Sequence, residues 1–432
     1  MEKLLHYVWK HKLFPPEGLA TTDGRRVEVV DPGLHNYNAG PDFFNAKVRI
    51  GGTLWVGNVE IHEHSHDWYA HHHDTDAAYD NVVLHVVSAV DCDVATRSGN
   101  PVPQVRLLVP ATVQGNYDAL LQADRYPPCR DTAAALPRLV LHSWLSALQA
   151  ERLAAKADAI VRRVAEAGGS WEDACFATLA RAFGFGVNAD TFELWARSIP
   201  LMSVAHHRDD AFQVEALFMG QAGLLQPDVI PLRHRAAALA DDYYLRLCRE
   251  YAYLAHKFAL APIDGHLWRF LRLRPQNFPH IRIAQLAALY CSRRASLRQL
   301  IECASLPEAR AALATAATPY WRTHYGFGVE SAENDKRLTS ASIDTVVINA
   351  VVPMLYAYGR HKNDDALCLR AMNFLESLRP EANGIVRRWR ECGVEAQNAA
   401  DSQALIQLQH AYCDRKDCLR CRIGYEFLRG KG

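Results

Sequence analysis

GPDFFNAKVRIGGTLWVGNVEIHEHSHDWYAHHHDTDAAYDNVVLHVV, Gly40 to Val87, is the stretch whose reading decides the fold. Phe44, Ala46, Val48 and Ile50 alternate with Asn45, Lys47 and Arg49, the period of a half-buried strand. Asp42 shares the parity of the apolar set, so it opens that strand and points toward the covered face. Gly51-Gly52 signals a hairpin. The returning strand carries Thr53, Trp55, Val59 and Ile61 on one face and Asn58, Glu60 and His62 on the other. Glu60 and His62 are two apart and project from the same side. If that face is buried, the pair needs partners, because unpaired buried polar groups are costly. The other reading is an ordinary solvated sheet face.

Seven of the chain's 20 histidines fall between His62 and His85, among Asp42, Glu60, Glu63, Asp67, Asp74, Asp76 and Asp80. Imidazole and carboxylate at this density suit a divalent metal site. Two ligand sets stay open. Asp42 and Glu60 on adjacent strands make a hard-oxygen pair suited to Mg²⁺ or Mn²⁺. His71 and His73, with His62 or His64, make a set for Zn²⁺ or Mn²⁺ that activates water for hydrolysis. An exposed histidine loop without metal is the alternative.

Working outward, Met1–Phe14 reads as an amphipathic helix stopped by Pro15-Pro16. Arg26–Val30 reads as a short strand, Thr75–Asp80 as a short helical segment, and Val82–Val90 as a β-branched strand. Gln104–Val109 is the last strand, so sheet content is expected to end near residue 110. From there the spacing turns helical. Leu136–Ala167 is rich in Ala, Leu, Arg and Glu. Ser170 with Asp173 resembles a capping box opening a helix that Gly184 and Gly186 close. Gly326-Phe327-Gly328 is also read as a helix end. The predicted class is α+β: a mixed α/β domain over residues 1–112, a mainly helical domain over 113–400, and a cysteine-rich helical segment over 401–432.

The 432-residue chain carries 48 basic and 48 acidic side chains and has 49% hydrophobic residues. Zero net charge argues against a broadly basic nucleic-acid coat but not against local patches. Lys3, His6 and Lys10 interrupt any leader-like run at the start. The longest uncharged apolar run, Thr345–Gly359, holds Asn349 and Pro353 and is read as too short to span a bilayer. Eleven cysteines, an odd number, point to a reducing compartment. A cytoplasmic location without a membrane partner is expected.

The blocks GPDFFNA (40–46), GNVEIH (57–62), DAAYDNVVLHVV (76–87), GQAGLL (220–225), LRPQNFPHIRIAQLA (273–287) and YCDRKDCLRCRIG (412–424) resemble an uncharacterised bacterial family known only as a domain of unknown function. Pro41-Asp42 at one strand, then Glu60-x-His62 on its neighbour, then a helix and another strand, is similar to the PD-(D/E)XK nuclease core. That resemblance implies metal-dependent cleavage of nucleic-acid phosphodiesters by Asp42, Glu60 and His62. Asp42 and Glu60 would hold Mg²⁺ or Mn²⁺, and Ile61 would offer a backbone carbonyl. His62 stands where the superfamily has lysine, a cation absent at neutral pH unless the imidazole is protonated. Lys47 on the adjacent strand has the opposite parity to Asp42. A His-rich hydrolase of a small molecule and an inactive, nuclease-like binding module are the rival expectations.

Cys413-x4-Cys418-x2-Cys421 brings three thiols into nine residues. His410, one helical turn earlier, is expected to complete a Cys3His zinc site, with Cys392 as the other candidate; an iron–sulfur cluster with a distant fourth cysteine stays open. Arg415, Lys416, Arg420 and Arg422 around the trio suit phosphate contact or, equally, a solvated basic helix end. Trp268-Arg269-Phe270-Leu271-Arg272-Leu273-Arg274, with Arg282, interleaves cations and aromatics as a nucleic-acid partner would require. The alternative puts Trp268, Phe270 and Leu271 in the core and the arginines in solvent.

Overall fold

The computed structural model describes residues 1–15, 18–123, 126–201 and 205–430. Pro16 of the expected Pro15-Pro16 stop lies outside them. The chain divides into two compact units. One comprises Met1–Leu141 with Glu391–Val394 and Leu408–Gly432; the other comprises His142–Arg390 with Glu395–Gln407. The architecture is α+β, a mixed sheet followed by mostly helical chain.

In the first unit, helix α1 (Glu2–Lys10) buries Leu4, Leu5, Val8 and Trp9 on one stripe. It ends at Lys10, earlier than the sequence suggests. Among the described residues the main sheet has strands β1 (Val27–Asp31), β2 (Leu34–His35), β3 (Phe43–Ile50), β4 (Thr53–His64), β5 (Val82–Ala89) and β6 (Gln104–Arg106). Their order is β1-β3-β4-β5-β6, with β2 also paired to β3. The β1–β3 and β3–β4 pairs are antiparallel, whereas β4–β5 and β5–β6 are parallel. Gly51 and Gly52 take φ of 57° and 90° and close the β3–β4 hairpin, as expected of residues free of Cβ. Strand β5 is central and covered, which explains its nearly continuous apolar run Val82–Val87. His85 interrupts that run and is fully buried.

Two features aim the sheet. The β3–β4 register slips between Phe43 and Ala46, where Asn45 has φ 54°, so β3 bulges as it begins. There Asp42 and Glu60 splice the strands: Asp42 N–H donates to Glu60 Oε2 (3.0 Å) and Ile61 N–H to Asp42 Oδ2 (2.9 Å). The parallel β4–β5 pairing then sets Glu60 beside His85. Between β4 and β5 the chain passes through the four-residue helix α2 (Asp67–Ala70) and a 3₁₀ turn, Ala77–Tyr79.

The second unit is built on one apolar core holding Trp195, Phe218, Tyr244 and Trp321. Ser170 Oγ accepts from the Asp173 N–H and opens the helix Trp171–Phe183, as the sequence indicated. Three readings need correction here. Sheet content does not end at residue 110: β7 (His324–Gly326) pairs with β8 (Val329–Glu330), and Gly326-Phe327-Gly328 is the turn between them rather than a helix end. The run Thr345–Gly359 belongs to a 23-residue helix, Ser340–Lys362, long and apolar enough by length and composition to cross a membrane, with 61% of its most apolar window buried. The Trp268 segment splits neither way. Trp268 is buried and donates from Nε1 to Ala222 O (2.8 Å), whereas Leu271 is 82% exposed. Arg282 is buried, bonding Gln285 Oε1 (2.8 Å) and Asn277 Oδ1 (2.6 Å), so it is no surface cation.

Gly57 tests the β4–β5 approach. A Cβ there would stand 2.4 Å from Val83 Cγ1 and 2.7 Å from Asn81 O. Gly57→Ala is therefore expected to push β5 away and cost about 1–3 kcal/mol, as overpacking does. Urea denaturation checks this; a variant as stable as the parent would show that the strands can part freely.

Candidate metal centre

The side chains singled out in the histidine-rich stretch converge beside β4. Glu60 and His62 are only 5% and 2% exposed, so the solvated-face reading fails. Glu60 Oε1 lies 3.5 Å from His62 Nε2 and 3.1 Å from His73 Nε2. His71 Nδ1 lies 3.1 Å from His62 Nε2. The ring nitrogens of His62, His71 and His73 all fall within 4.8 Å of one another. Two ligands bound at about 2.1 Å to one ion are separated by roughly 3.0–3.4 Å, which is the spacing found here.

Local geometry explains the convergence. Helix α2 ends in a Schellman turn, with His73 N–H bonded to Trp68 O (3.0 Å) and His72 N–H to Tyr69 O (3.0 Å). His72 takes φ 61°, the left-handed position usually held by glycine. The turn is anchored by buried Trp68, whose Nε1 donates to Ala95 O (3.0 Å). His73 stacks on Tyr79 at 3.7 Å. The turn thus directs His71 and His73 at β4 while His72 faces solvent. His71 is itself exposed, so the cluster opens to the outside through it.

The sequence reading missed two participants. His85 Nε2 lies 2.9 Å from His62 Nδ1 and fixes which His62 nitrogen faces the cluster. His6 on α1 places Nε2 3.4 Å from Asp42 Oδ2. A histidine inside an apolar strand was a visible signal for His85; nothing in the sequence tied His6 to residues 36 positions away. His64 falls elsewhere: with His66 and Asp91 it forms an exposed group, His66 Nδ1 standing 2.5 Å and His64 Nδ1 3.7 Å from Asp91 Oδ2. Lys47 is exposed.

Burial raises both Asp42 and Glu60 above the usual carboxylate range, and the charge of Glu60 adds to the shift of Asp42. Burial lowers His62, His73 and His6, and the neighbouring imidazoles lower His62 further. Imidazoles kept neutral are competent ligands. His6 Nε2 and His73 Nε2 are buried and, among the described residues, make no hydrogen bond. Each does lie beside a carboxylate oxygen, His73 Nε2 3.1 Å from Glu60 Oε1 and His6 Nε2 3.4 Å from Asp42 Oδ2.

Of the remaining predicted ligands, His410 is exposed, with Nδ1 held by Asp414 Oδ2 at 2.8 Å. Cys421 is buried and Cys413 and Cys418 half-buried, in the same compact unit as the sheet.

No curated protein and no solved structure matches the chain. A family model described as "Protein of unknown function (DUF2851)" matches residues 2–384, a span that includes every side chain of the His–Glu cluster. The chain belongs to that family of proteins of unknown function.

Proposed function

We propose that the chain is a metal-dependent hydrolase, with one divalent ion held by Glu60, His62, His71 and His73 and with phosphodiesters, nucleic acid among them, as substrates. The observation that carries this reading is the convergence of one carboxylate and three imidazoles: Glu60 lies 3.5 Å from His62 and 3.1 Å from His73, His62 lies 3.1 Å from His71, and the three imidazoles fall within 4.8 Å of one another. Three nitrogen donors favour Mn²⁺ or Zn²⁺ over Mg²⁺. Such an ion would supply Lewis acidity and a water acidic enough to react near neutral pH.

The protein groups divide the remaining work. His62, directed through Nε2 at Glu60 and His71, is better placed as a ligand than as the base. His85 orients it from behind. Asp42 braces Glu60 through the paired backbone bonds. Held toward its protonated form, it can exchange a proton near neutrality. The nuclease-like pairing of Asp42 with Glu60 remains a second reading, favoured by their position side by side where β3 starts and the antiparallel β4 nears its end. In it Asp42 would have to ligate while accepting from Ile61 N–H.

Activity is expected against single- or double-stranded DNA or RNA, or a simple phosphodiester, with Mn²⁺ or Zn²⁺ supplied. Glu60→Gln and His73→Ala should each lose about 100-fold or more, and His85→Ala about 10–100-fold, as for groups that orient a ligand. His72→Gly should keep activity and gain slightly in stability, since glycine prefers that φ. Cleavage assays across metals, with metal analysis of untagged protein, decide the matter. A wild-type protein that binds no metal at this site and cuts none of these substrates would sink the proposal. Cleavage of only non-phosphate esters or amides would move it to another substrate class.

Metal removal should also change the pH dependence of stability. Asp42 and Glu60 are raised from the ordinary carboxylate range to about 8. The metal-free fold keeps their protons where the unfolded chain has lost them. Their contribution is therefore full below pH ~4 and is lost as pH rises toward 8. The lowered histidines act oppositely, but only below their ordinary value of 6.5. Within this cluster the carboxylates act alone above pH 6.5; Lys156, which burial lowers to about 7, acts with the opposite sign in the same window, and comparison with Glu60→Gln separates the two. The Tm of EDTA-stripped protein is thus expected to fall from pH 6.5 to 8, and less steeply in Glu60→Gln. Added Mn²⁺ or Zn²⁺ should reverse the slope, because ligands shed protons on binding. Thermal melts over this range check both signs.

A further inference from the structure

Three helices of the second unit each turn one face toward a cavity of about 660 Å³. Cavities of that size take small-molecule ligands. Helix Arg138–Glu166 supplies Lys156 and Arg163, and helix Trp171–Phe183 supplies Thr178 and Arg181. Helix Ser340–Lys362 supplies Asn349 and Pro353. The steps within these pairs are seven, three and four residues, which return to the same side of a helix. The third helix is irregular at this point. Pro353 has no N–H to give to the carbonyl of Asn349, and Val347–Val351 widens into a π turn. Such turns recur at functional sites.

The cavity is lined by three cations and one carboxylate. Lys156 Nζ donates to Asn349 Oδ1 (2.9 Å) and Gln403 Oε1 (2.7 Å), both neutral amide oxygens. Among the described residues no carboxylate forms an ion pair with it, and an ammonium has a third N–H to give. Burial lowers Lys156 to about 7, and the charge of Arg152 adds to the shift. The lining carboxylate, Glu381, turns Oε2 to Gln403 Nε2 and Ser402 Oγ. Arg163 gives Nε and Nη2 to Glu193 (2.7 and 2.9 Å), and Arg181 gives Nη1 to Glu193 and Asp190 (2.9 and 2.5 Å). These bonds use only part of either guanidinium. Glu193 is also shared with Arg197, so one half-buried carboxylate answers three arginines. Asp190 and Glu166, the outer partners of Arg181 and Arg197, are exposed, where solvent screens them.

We propose that this cavity binds a small organic anion, with its phosphate or carboxylate group at Arg163 and Arg181 and an oxygen of its other end on Lys156 Nζ. Planar guanidinium groups suit either anion, and the bond is charge-assisted. Lys156 and Arg163 stand seven residues apart, about 10 Å along a helix, so an extended ligand fits better than a bare anion. A ligand oxygen on Lys156 would use the donor that the two amides leave over. The site lies wholly in the second unit and is independent of the His–Glu cluster and of any activity assigned to it.

Pyridoxal 5′-phosphate is a suitable probe, because it carries a phosphate and an aldehyde on one small frame. The unprotonated Lys156 amine condenses with the aldehyde to an imine and releases water. Borohydride then reduces the imine to a secondary amine, which peptide mass spectrometry locates. At low reagent, Lys156 is expected to be labelled ahead of exposed lysines such as Lys47. Pyridoxal, which lacks the phosphate, should label Lys156 about tenfold more slowly, the loss of one charge-assisted contact. Arg181→Gln should slow labelling by the phosphate compound to a similar degree. Excess glycerol 3-phosphate or succinate should protect Lys156; whichever protects better identifies the anionic end. Equal labelling by pyridoxal and its phosphate, protection by neither anion, or a folded Arg181→Gln labelled like the parent would each overturn the proposal. The first two outcomes need only the wild-type chain, so they stand even if the variant does not fold.

Discussion

The first unit depends on a reciprocal link between two carboxylates and two backbone amides. Asp42 N–H donates to Glu60, and Ile61 N–H donates to Asp42. These bonds stand just past the last β3–β4 pair, Phe43 with Val59, beyond the bulge at Asn45, so they satisfy amides the ladder leaves unpaired. The same burial disfavours two adjacent negative charges, so the link joins the strands while leaving the pair electrostatically unsatisfied. A cation at Glu60 would relieve the strain without breaking either amide bond, because Glu60 Oε1 faces the histidines while Oε2 faces Asp42.

Much of this was legible in the sequence, and the reason is periodicity. The alternation before Gly51-Gly52 and the turn itself marked the hairpin, and the two-residue spacing put Glu60 and His62 on one side; the alternation expected after the turn is absent, since Thr53–Val56 are exposed and Val59–His62 all buried. The loss of alternation after Val109 marked most of the change to helix; the short β7–β8 hairpin escaped because its few residues carry no alternation. Site membership was harder to read. His71 and His73 could be named from density, but their separation from His64 is set by the left-handed turn at His72, a conformation sequence does not advertise for histidine. His85 reaches His62 only through the parallel β4–β5 register, and His6 only through the packing of α1.

The place of the chain end belongs to the same class of omission. Lys416 Nζ reaches Leu121 O (2.8 Å) across 295 positions, and no local spacing rule joins them. What joins them is the return of the chain end to the helices Ala111–Gln122 and Arg130–Ala135, a tertiary event with many individually modest contacts. The basic residues beside the C-terminal cysteines invited a phosphate from sequence alone. In the structure Arg420 pairs with Asp417 (3.2 Å) and Arg422 with Glu426 (2.7 Å). Exposed pairs of this kind contribute little.

The cysteines and the histidine cluster differ in a way that bears on their roles. Cys129 and Cys421 are buried and Cys413 and Cys418 half-buried, whereas donors within 4.8 Å of one another are found at the histidines. The His–Glu set is buried on three sides, by β4, by Trp68 with Tyr79 and by His85, yet its fourth side is His71, which is exposed. An open set admits water and substrate. His64 at the end of β4, with His66 and Asp91, forms a second, exposed group of donors. A site meant only to hold the fold together would have no need to leave a ligand facing solvent, and histidine at position 72 rather than glycine keeps the turn bearing that ligand in a strained conformation. Strain held at His72 beside an open cluster supports the proposed hydrolytic role over a purely structural one.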